Sequence, residues 1–469
     1  ETHNFPTLLS PFHGAHTGVG GRIRDNQATG IGAVVLGSLA GYCVGDIYTE
    51  LNESSKNNLD DYGDYPTPLK ILIEASNGAS DYGNKFGEPI IGGFTRSFTT
   101  KGIVDGNENP VERVEWLKPI MFSAGLGAIT ERNTFKKEPK VGMYIVRIGG
   151  PAYKIGLGGG YASSLDQNND AIEDDASSIQ RGDPEMCTKM NNALRYLMDT
   201  NKDNIIVSNH DQGSGGLGNV LKEIVAPLGA NIFLDNVSLG DKTMAGWEIW
   251  CSEFQESNVM VVEKKSLNEV EYICKRENIC CDILGILNNN PNIVVEYKEQ
   301  TILDLPLNEI VNPDLKKEYI LEKTEHLYLP KEIKPIQSSL FYPFLSKVLQ
   351  NVDVCSKRFL VNKVDRSVTG LVVQQQCVGP FHTPISNYNI MSFGYFDSHG
   401  VVSAIGEKPI LTLLNTEAAG TMAVAEMVTN MMGAYVGNMN LIKCSGNWMW
   451  ALSKQGASEK LVKTAKSMI

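Results

Sequence analysis

Short β-branched runs alternate with stretches of helical period along this 469-residue chain, and clusters of glycine sit at many of the joints. A strand that buries both faces needs helices to cover them, so this alternation predicts an α/β class. Lys140–Ile148 predicts a strand, followed by a turn at Gly149-Gly150-Pro151. Pro184 to Thr200 predicts a helix that opens on proline, with Met186, Met190, Leu194 and Leu197 on one face. Ile205–Val207, Phe233, Val259–Val262 and Ile283–Ile286 read as further strand pieces. Gly215–Leu228 and Lys265–Glu277 read as helices between them.

Elsewhere the pattern is weaker. Ile31–Leu36 and Leu69–Ile73 read as buried strands or strand–helix joints, and Ser54–Pro66 as a polar surface loop. Leu287–Pro335 is irregular, its later part a connection. Gln337–Val352 looks helical with a break at Pro343. A strand-rich stretch restarts at Phe359 and leads into a small-residue helix, Glu417–Met432. The segment Val378-Gly379-Pro380-Phe381-His382 echoes Ser10-Pro11-Phe12-His13-Gly14, which suggests a second copy of the first domain. At roughly 100–200 residues per domain the length allows two to four domains.

A net charge of −12 argues against broad nucleic-acid binding, which needs a basic face. It leaves room for small phosphate ligands, held by a few Arg or Lys groups and backbone N–H donors. The nine cysteines are odd in number and lack a C-x-x-C pair, which fits a reducing compartment better than a disulfide framework. The seven histidines show no metal-ligand spacing. No apolar run reaches the ~20 residues of a membrane helix, and no signal peptide is expected. Because residue 1 is Glu and begins inside a motif, the chain is expected to be part of a longer one.

Five clusters could carry chemistry. In Glu1–Asp25, Gly14, Gly18, Gly20 and Gly21 lie beside Thr17, Arg22, Arg24 and Asp25. Glycines let backbone N–H groups approach phosphate, Arg binds it in a fork, and carboxylates suit Mg²⁺. By themselves those glycines fit a tight turn equally well. Ser177–Pro184 leads into a helix, where Asp183 more commonly serves as a cap. Asn209–Leu217 lies between a strand and a helix, and Asp211 there is either a metal ligand or a turn acid. Trp247–Ser257 packs acids and a Gln beside aromatics, as a site or as a half-buried strand end. Gly156–Ser164 is a flexible loop or a phosphate cradle.

In combination these segments resemble the formylglycinamidine ribonucleotide synthetase family. The strips ETHNFP, GAHTGVGGRIRD, EASNGASDYGNKFGEP, GGPAYKIGLGGGYASS, SIQRGDPEM, HDQGSGGL, EIWCSEFQES and KCSGNWMW stand in that family's order. The resemblance spans essentially the whole chain. It implies an α/β (α+β) fold like aminoimidazole ribonucleotide synthetase, as a tandem of N-terminal and C-terminal domain pairs. The implied bounds are 1–137 and 138–320 for the first pair, 321–357 for a connection, and 358–469 for the opening domain of a second pair. The implied reaction converts formylglycinamide ribonucleotide, ATP and glutamine-derived ammonia to the amidine, ADP, phosphate and glutamate through an iminophosphate. Ammonia would come from a glutaminase domain, whose Cys-His-Glu segment this stretch lacks. A cytoplasmic purine-biosynthetic ligase is implied, with ATP and Mg²⁺ as cofactors and neither nucleic acid nor membrane as partner.

The resemblance also implies roles residue by residue. His3 is the catalytic acid/base. Thr2, Asn4, Phe5, Arg24, Gln180, Glu253, Phe254 and Gln255 contact substrate. Gly14, Ala15, His16, Thr17, Gly18, Val19, Gly20, Gly21, Arg22, Ile23, Arg24 and Asp25 form the ATP-binding loop, and Gly93 and Phe94 touch nucleotide. Glu1, Asp25 and Asp211 hold metal. In the second pair, Ser386 meets an auxiliary nucleotide, and Asn387, Glu426 and Asn430 hold its Mg²⁺. Three positions depart from the family pattern: Phe5 for a second His, Phe254 for a small polar residue, and Asn387 for an Asp, a weaker neutral ligand. Two other readings stay open. One is a catalytically dead nucleotide-binding relative. The other is a different ATP-using enzyme of the same fold.

Overall fold

The computed structural model describes residues 2–47, 63, 65–100, 114–159, 179–199, 204–311, 321, 335, 337–452, 454 and 456–469. Its helices are α1 (Asn4–Leu9), α2 (Pro11–Gln27), α3 (Pro68–Phe86), α4 (Pro184–Asp199), α5 (Gly216–Val225), α6 (Gly246–Cys251), α7 (Leu267–Glu277), α8 (Leu307–Val311), α9 (Phe341–Gln350), α10 (Arg358–Val361), α11 (Thr416–Met431) and α12 (Ala457–Ser467). The strands β1 (Val34–Val44), β2 (Ile90–Ser97) and β5 (Ile120–Ala128) form a sheet of order β2-β1-β5, and β3 (Thr99–Thr100) pairs with β4 (Val114–Glu115). The chain divides into two compact units. One comprises Glu1–Ala40, Ile73–Ile90 and Met121–Leu315, the other Gly41–Leu72, Ile91–Ile120 and Lys316–Ile469.

The first unit is built on a seven-stranded sheet. Its members are β6 (Tyr144–Gly149), β7 (Ile206–Asp211), β8 (Gly229–Phe233), β9 (Ser257–Val262), β10 (Cys280–Asn288), β11 (Asn292–Tyr297) and β12 (Gln300–Pro306). Their order is β12-β11-β8-β10-β6-β9-β7. Successive side chains on a strand face opposite ways, and here both faces are apolar. Ile145, Val259 and Val261 join a core with Leu217, Val220, Leu221 and Ile224 of α5. Val146, Ile148, Met260 and Val262 join a second core with α4 and α7. The antiparallel register sets Gly149 opposite Ser257 and Asp211 opposite Asn258. The ends of β6, β7 and β9 therefore meet at one edge, where the polar strips of the sequence lie.

The expected α4, α5 and α7 are present, but several expectations need correction. Leu69–Ile73 belongs to the long helix α3, not to a strand. The irregular reading of Leu287–Pro335 misses the hairpin of β11 and β12, whose turn at Lys298 and Glu299 takes positive φ without glycine. Pro343 does not break α9, because it is the third residue of that helix, where its missing N–H has no helical acceptor. The echo between residues 10–14 and 378–382 is not structural. Pro11 opens the 17-residue helix α2, whereas Gly379 and His382 take left-handed φ in the turn between β14 (Cys377–Val378) and β15 (Thr383–Pro384).

In the second unit, β13 (Val372–Gln374), β16 (Tyr388–Ser392) and β17 (Gly400–Ala404) form an antiparallel sheet of order β13-β16-β17. Helices α11 and α12 pack closely, because a Cβ at Gly420 would reach 2.7 Å from the Thr464 carbonyl. Asn415 caps α11 by accepting from the Ala418 N–H at 2.9 Å. The expected surface loop Ser54–Pro66 lies almost wholly outside the described residues.

Candidate active site

The glycine-rich run expected as a phosphate loop is helix α2. Four of its glycines fall inside a helix, each at a propensity cost near 1 kcal/mol relative to Ala. Close packing offsets that cost. A Cβ on Gly14 would collide with the backbone of Pro6 and Thr7 in α1. One on Gly18 would press on His3 Cβ at 3.0 Å and Met121 Sδ at 3.1 Å, and one on Gly20 would lie 2.6 Å from the Tyr82 ring. Gly14, Ala15, His16, Thr17, Gly18, Val19, Gly20, Arg22, Ile23 and Arg24 are buried, Gly21 is half-buried and Asp25 is exposed.

His3 stands at the N-terminus of α1, fixed by its N–H to the Met121 carbonyl at 3.1 Å. Thr2 bridges to Phe122, Asn4 Oδ1 accepts the Met121 N–H at 2.8 Å, and Phe5 is buried in the core. His3 Nδ1 lies 3.0 Å from the Gly14 carbonyl. A carbonyl can only accept, so Nδ1 carries the proton and Nε2 the lone pair. Burial lowers the His3 pKa to about 4, against the opposing Gly14 bond and with help from Arg24. A neutral imidazole with a basic Nε2 suits a proton acceptor.

Arg24 is buried completely, yet it stays charged. Burial opposes the charge, and Glu256, Tyr82, Cys187 and Asp211 outweigh it. Its Nη1 donates to Glu256 Oε1 at 3.0 Å and its Nη2 to Gln255 Oε1. Its Nε is buried without a hydrogen-bond partner. Arg22 differs. Both its terminal nitrogens donate to Glu88, so its fork is committed inside the fold. Arg22 is thus paired through both terminal nitrogens, whereas Arg24 keeps a buried Nε without a partner.

The strip after α6 splits by the period of extended backbone. Glu253 accepts from the Gln180 amide and from the Gly215 N–H at 3.2 Å, while Gln255 holds Arg24. Phe254 points the other way, into the core under Arg147, whose guanidinium lies 4.7 Å from the ring centroid. Phe254 therefore packs below the strip that Glu253 and Gln255 present. Gln180 Oε1 is also buried without a partner, and Thr17 Oγ1 donates to the Gln180 carbonyl at 3.3 Å. Gly156 makes room for both side chains: its own Cβ would sit 2.7 Å from Glu253 Cβ and 3.0 Å from Gln180 Cγ. Buried polar atoms rarely go unpaired, so the orphans on Arg24 and Gln180 mark places for a ligand or water.

Asp211 ends β7 beside Asp25 and Arg24. Burial and then the Asp25 charge raise its pKa. A carboxylate crowded by a second one suits a cation. Among the described residues no group of three such ligands occurs, and Glu1, the third expected member, lies outside them. Residues 160–164 and Ser177–Ser178 of the quoted motifs also lie outside. Sequence reading assigned no role to Glu256, Tyr82, Glu88 or Gln212. Each lies inside a quoted strip, but only folding shows that Gln212 is buried and accepts from Ser257 Oγ at 2.8 Å.

In the second unit, Glu426 and Asn430 share a face of α11 at i, i+4 spacing. Glu426 accepts from Lys408 Nζ at 2.5 Å and the Glu407 N–H at 2.9 Å, and Asn430 Nδ2 donates to the Ile405 carbonyl at 3.0 Å. Asn387 is exposed just before β16. Ser386 Oγ donates to the Tyr388 carbonyl at 2.7 Å and accepts from Gln374 at 2.8 Å. Gly93 and Phe94 lie on β2, where the Phe94 ring covers Gly41.

Residues 140–298 match the family described as AIR synthase related protein, C-terminal domain, and residues 356–469 match the FGAR-AT PurM_N-like domain. The chain is 45% identical to phosphoribosylformylglycinamidine synthase of Dictyostelium discoideum, over 100% of this chain and 35% of that protein. It is 42% identical to the human protein of the same name, over 100% of this chain and 36% of that one. A structure of Thermotoga maritima PurL complexed with FGAR aligns with a TM-score of 0.65 and 23% identity, over 92% of this chain and 60% of that one. The same protein complexed with ATP aligns at 0.62 and 20%, over 92% and 58%. These structural likenesses establish the fold, an α/β arrangement of the aminoimidazole ribonucleotide synthetase type. Sequence similarity along its whole length places the chain in the phosphoribosylformylglycinamidine synthase family, as a stretch spanning about a third of the length of the curated relatives it matches.

Proposed function

We propose that this chain carries the synthetase centre of a phosphoribosylformylglycinamidine synthase. It would use ATP to activate the amide of formylglycinamide ribonucleotide as an iminophosphate. Ammonia, released from glutamine by a glutaminase domain, would displace the phosphate and give the amidine. The observation that carries the reading is the buried cluster of Arg24, Gln180, Glu253 and Gln255 behind His3, with orphan polar atoms on Arg24 and Gln180.

Each residue has a definite task in this reading. His3 Nε2 accepts a proton from attacking ammonia. Arg24 and Gln180 bind the substrate's phosphate or amide, with Thr2, Asn4 and Phe5 shaping the wall and Glu253 and Gln255 fixing the donors. Phe254 supports that strip from below. The buried face of α2 from Gly14 to Arg24, with Asp25, borders the ATP site, and Gly93 and Phe94 are proposed nucleotide contacts of the second unit. Asp25 and Asp211 would hold Mg²⁺, with Glu1 as the expected third carboxylate. The cation neutralises phosphate charge when bound. Ser386, Asn387, Glu426 and Asn430 are proposed for the auxiliary nucleotide and metal. The domain bounds 1–137, 138–320, 321–357 and 358–469 belong to this reading. So does a cytoplasmic setting, which nine free thiols and the lack of a membrane-length apolar helix among the described residues support.

Calorimetry of the chain with formylglycinamide ribonucleotide, and separately with ATP and Mg²⁺, tests the proposal. Saturable binding of both is expected, together with ammonia-dependent phosphate release once the remaining family domains are supplied. Binding of ATP with no response to the ribonucleotide would favour a different ATP-using enzyme.

A further inference from the structure

Arg24 belongs to the buried cluster proposed to meet substrate, and other residues aim it. Glu256 is buried, and its carboxylate gathers three donors from three segments. Arg24 Nη1 of α2 lies at 3.0 Å, Tyr82 Oη of α3 at 3.3 Å, and the Asp183 backbone N–H completes the set. Tyr82 is buried completely, and two glycines admit its ring. A Cβ at Gly20 would stand 2.6 Å from it, and one at Gly182 would stand 2.8 Å away. Glu256 itself is held by its own backbone, whose carbonyl accepts the Gly150 N–H at 2.8 Å. The same carboxylate therefore grips Arg24 and the start of α4, three residues from Gln180.

Charge makes this arrangement directional. A guanidinium deprived of water takes its orientation from its anionic partner, and charge-assisted bonds are about twice as strong as neutral ones. Gln255 alone supplies one neutral acceptor, which leaves the fork free to rotate. With Glu256 and Gln255 both engaged, the two terminal nitrogens are fixed and the orphan Nε–H has a single direction.

We propose that Glu256 and Tyr82 are positioning residues that hold Arg24 and the Gln180–Asp183 loop in register for the anionic ribonucleotide. The proposal rests on the functional reading above and names the device behind its substrate pocket.

The test compares the chain with its Tyr82→Phe and Glu256→Gln variants. Both substitutions keep shape, and the first removes only a hydroxyl. Calorimetry reads the affinity for formylglycinamide ribonucleotide and for ATP. Side-chain NMR reads exchange of the Arg24 Nε–H, assigned with an Arg24→Lys control. The expected result is roughly tenfold weaker ribonucleotide binding in each variant, the size of one lost bond to a charged group. ATP affinity should stay within about twofold, the ratio left when no contact changes. Faster Nε–H exchange should accompany the loss. A merely structural role would lower the melting temperature while the folded fraction bound the ribonucleotide as before, with unchanged exchange, and that result would overturn the proposal. If the unaltered chain binds no ribonucleotide, the functional reading fails, and the exchange rates alone decide. Protection lost in Glu256→Gln supports positioning, and protection retained overturns it.

Discussion

The imidazole of His3 donates through Nδ1 to the carbonyl of Gly14 at 3.0 Å, across the crossing of α1 and α2. Burial holds this ring neutral, with its pKa lowered to about 4 from an ordinary 6.5. The neutral form is the one the fold prefers. His3 therefore contributes stability that is present above pH 6.5 and is lost as pH falls toward 4. Urea midpoints measured from pH 7.5 to 4 should fall, at up to roughly 1.4 kcal/mol per pH unit from this group. His3→Gln should flatten that slope. An unchanged slope would show that the ring titrates normally in the folded chain.

Gly14→Ala should destabilise the first unit by about 1–3 kcal/mol, the usual penalty of overpacking. Alanine is the better helix former, by about 1 kcal/mol, so propensity alone predicts the opposite sign. The added methyl meets the Pro6 and Thr7 backbone, which cannot rotate away as a side chain could. Thermal melting separates the two. A raised midpoint would mean that α1 and α2 can move apart.

Glu88→Gln should lower stability by about 3–5 kcal/mol, because it leaves the Arg22 guanidinium buried beside a neutral amide. Arg22→Met with Glu88→Leu removes both charges and should recover most of the loss. Equilibrium denaturation of both variants checks this. If the single change costs no more than the double, Arg22 has a route to water or to another acid.

Phe254→Ala should cost about 3–5 kcal/mol, since the ring fills the first unit's core under Arg147. Phe254→Leu keeps most of the volume but loses the cation–π contact, and should cost about 1–2 kcal/mol. Denaturant midpoints for the pair measure the ring's share. Equal losses would assign the effect to the ring's contact with Arg147 rather than to volume.

Much of the site was legible because its residues come in short strips. The run Glu253-Phe254-Gln255-Glu256 announces a polar cluster, and Asp211 before glycines announces a strand-to-helix turn. What a strip hides is the direction of each side chain. Phe254 turns to the core only because Glu253 and Gln255 on either side of it turn to the site. The two arginines of α2 are alike in sequence, yet Arg22 is neutralised by Glu88 and Arg24 by Glu256.

By itself the sequence determined the α/β alternation, the helices that open at Pro184 and Gly215, and the family. Each depends on local periodicity, on caps or on the order of motifs. Tertiary packing decided that the glycine-rich run is a helix rather than a loop. Glycine is a poor helix former in isolation, and what it gains from the close approach of Pro6, His3 and Tyr82 is invisible to any local window. Packing also decided which acid each arginine pairs with. Arg24 and Glu256 lie 232 residues apart, and an ion pair at that separation exists only after the segments that carry it have docked.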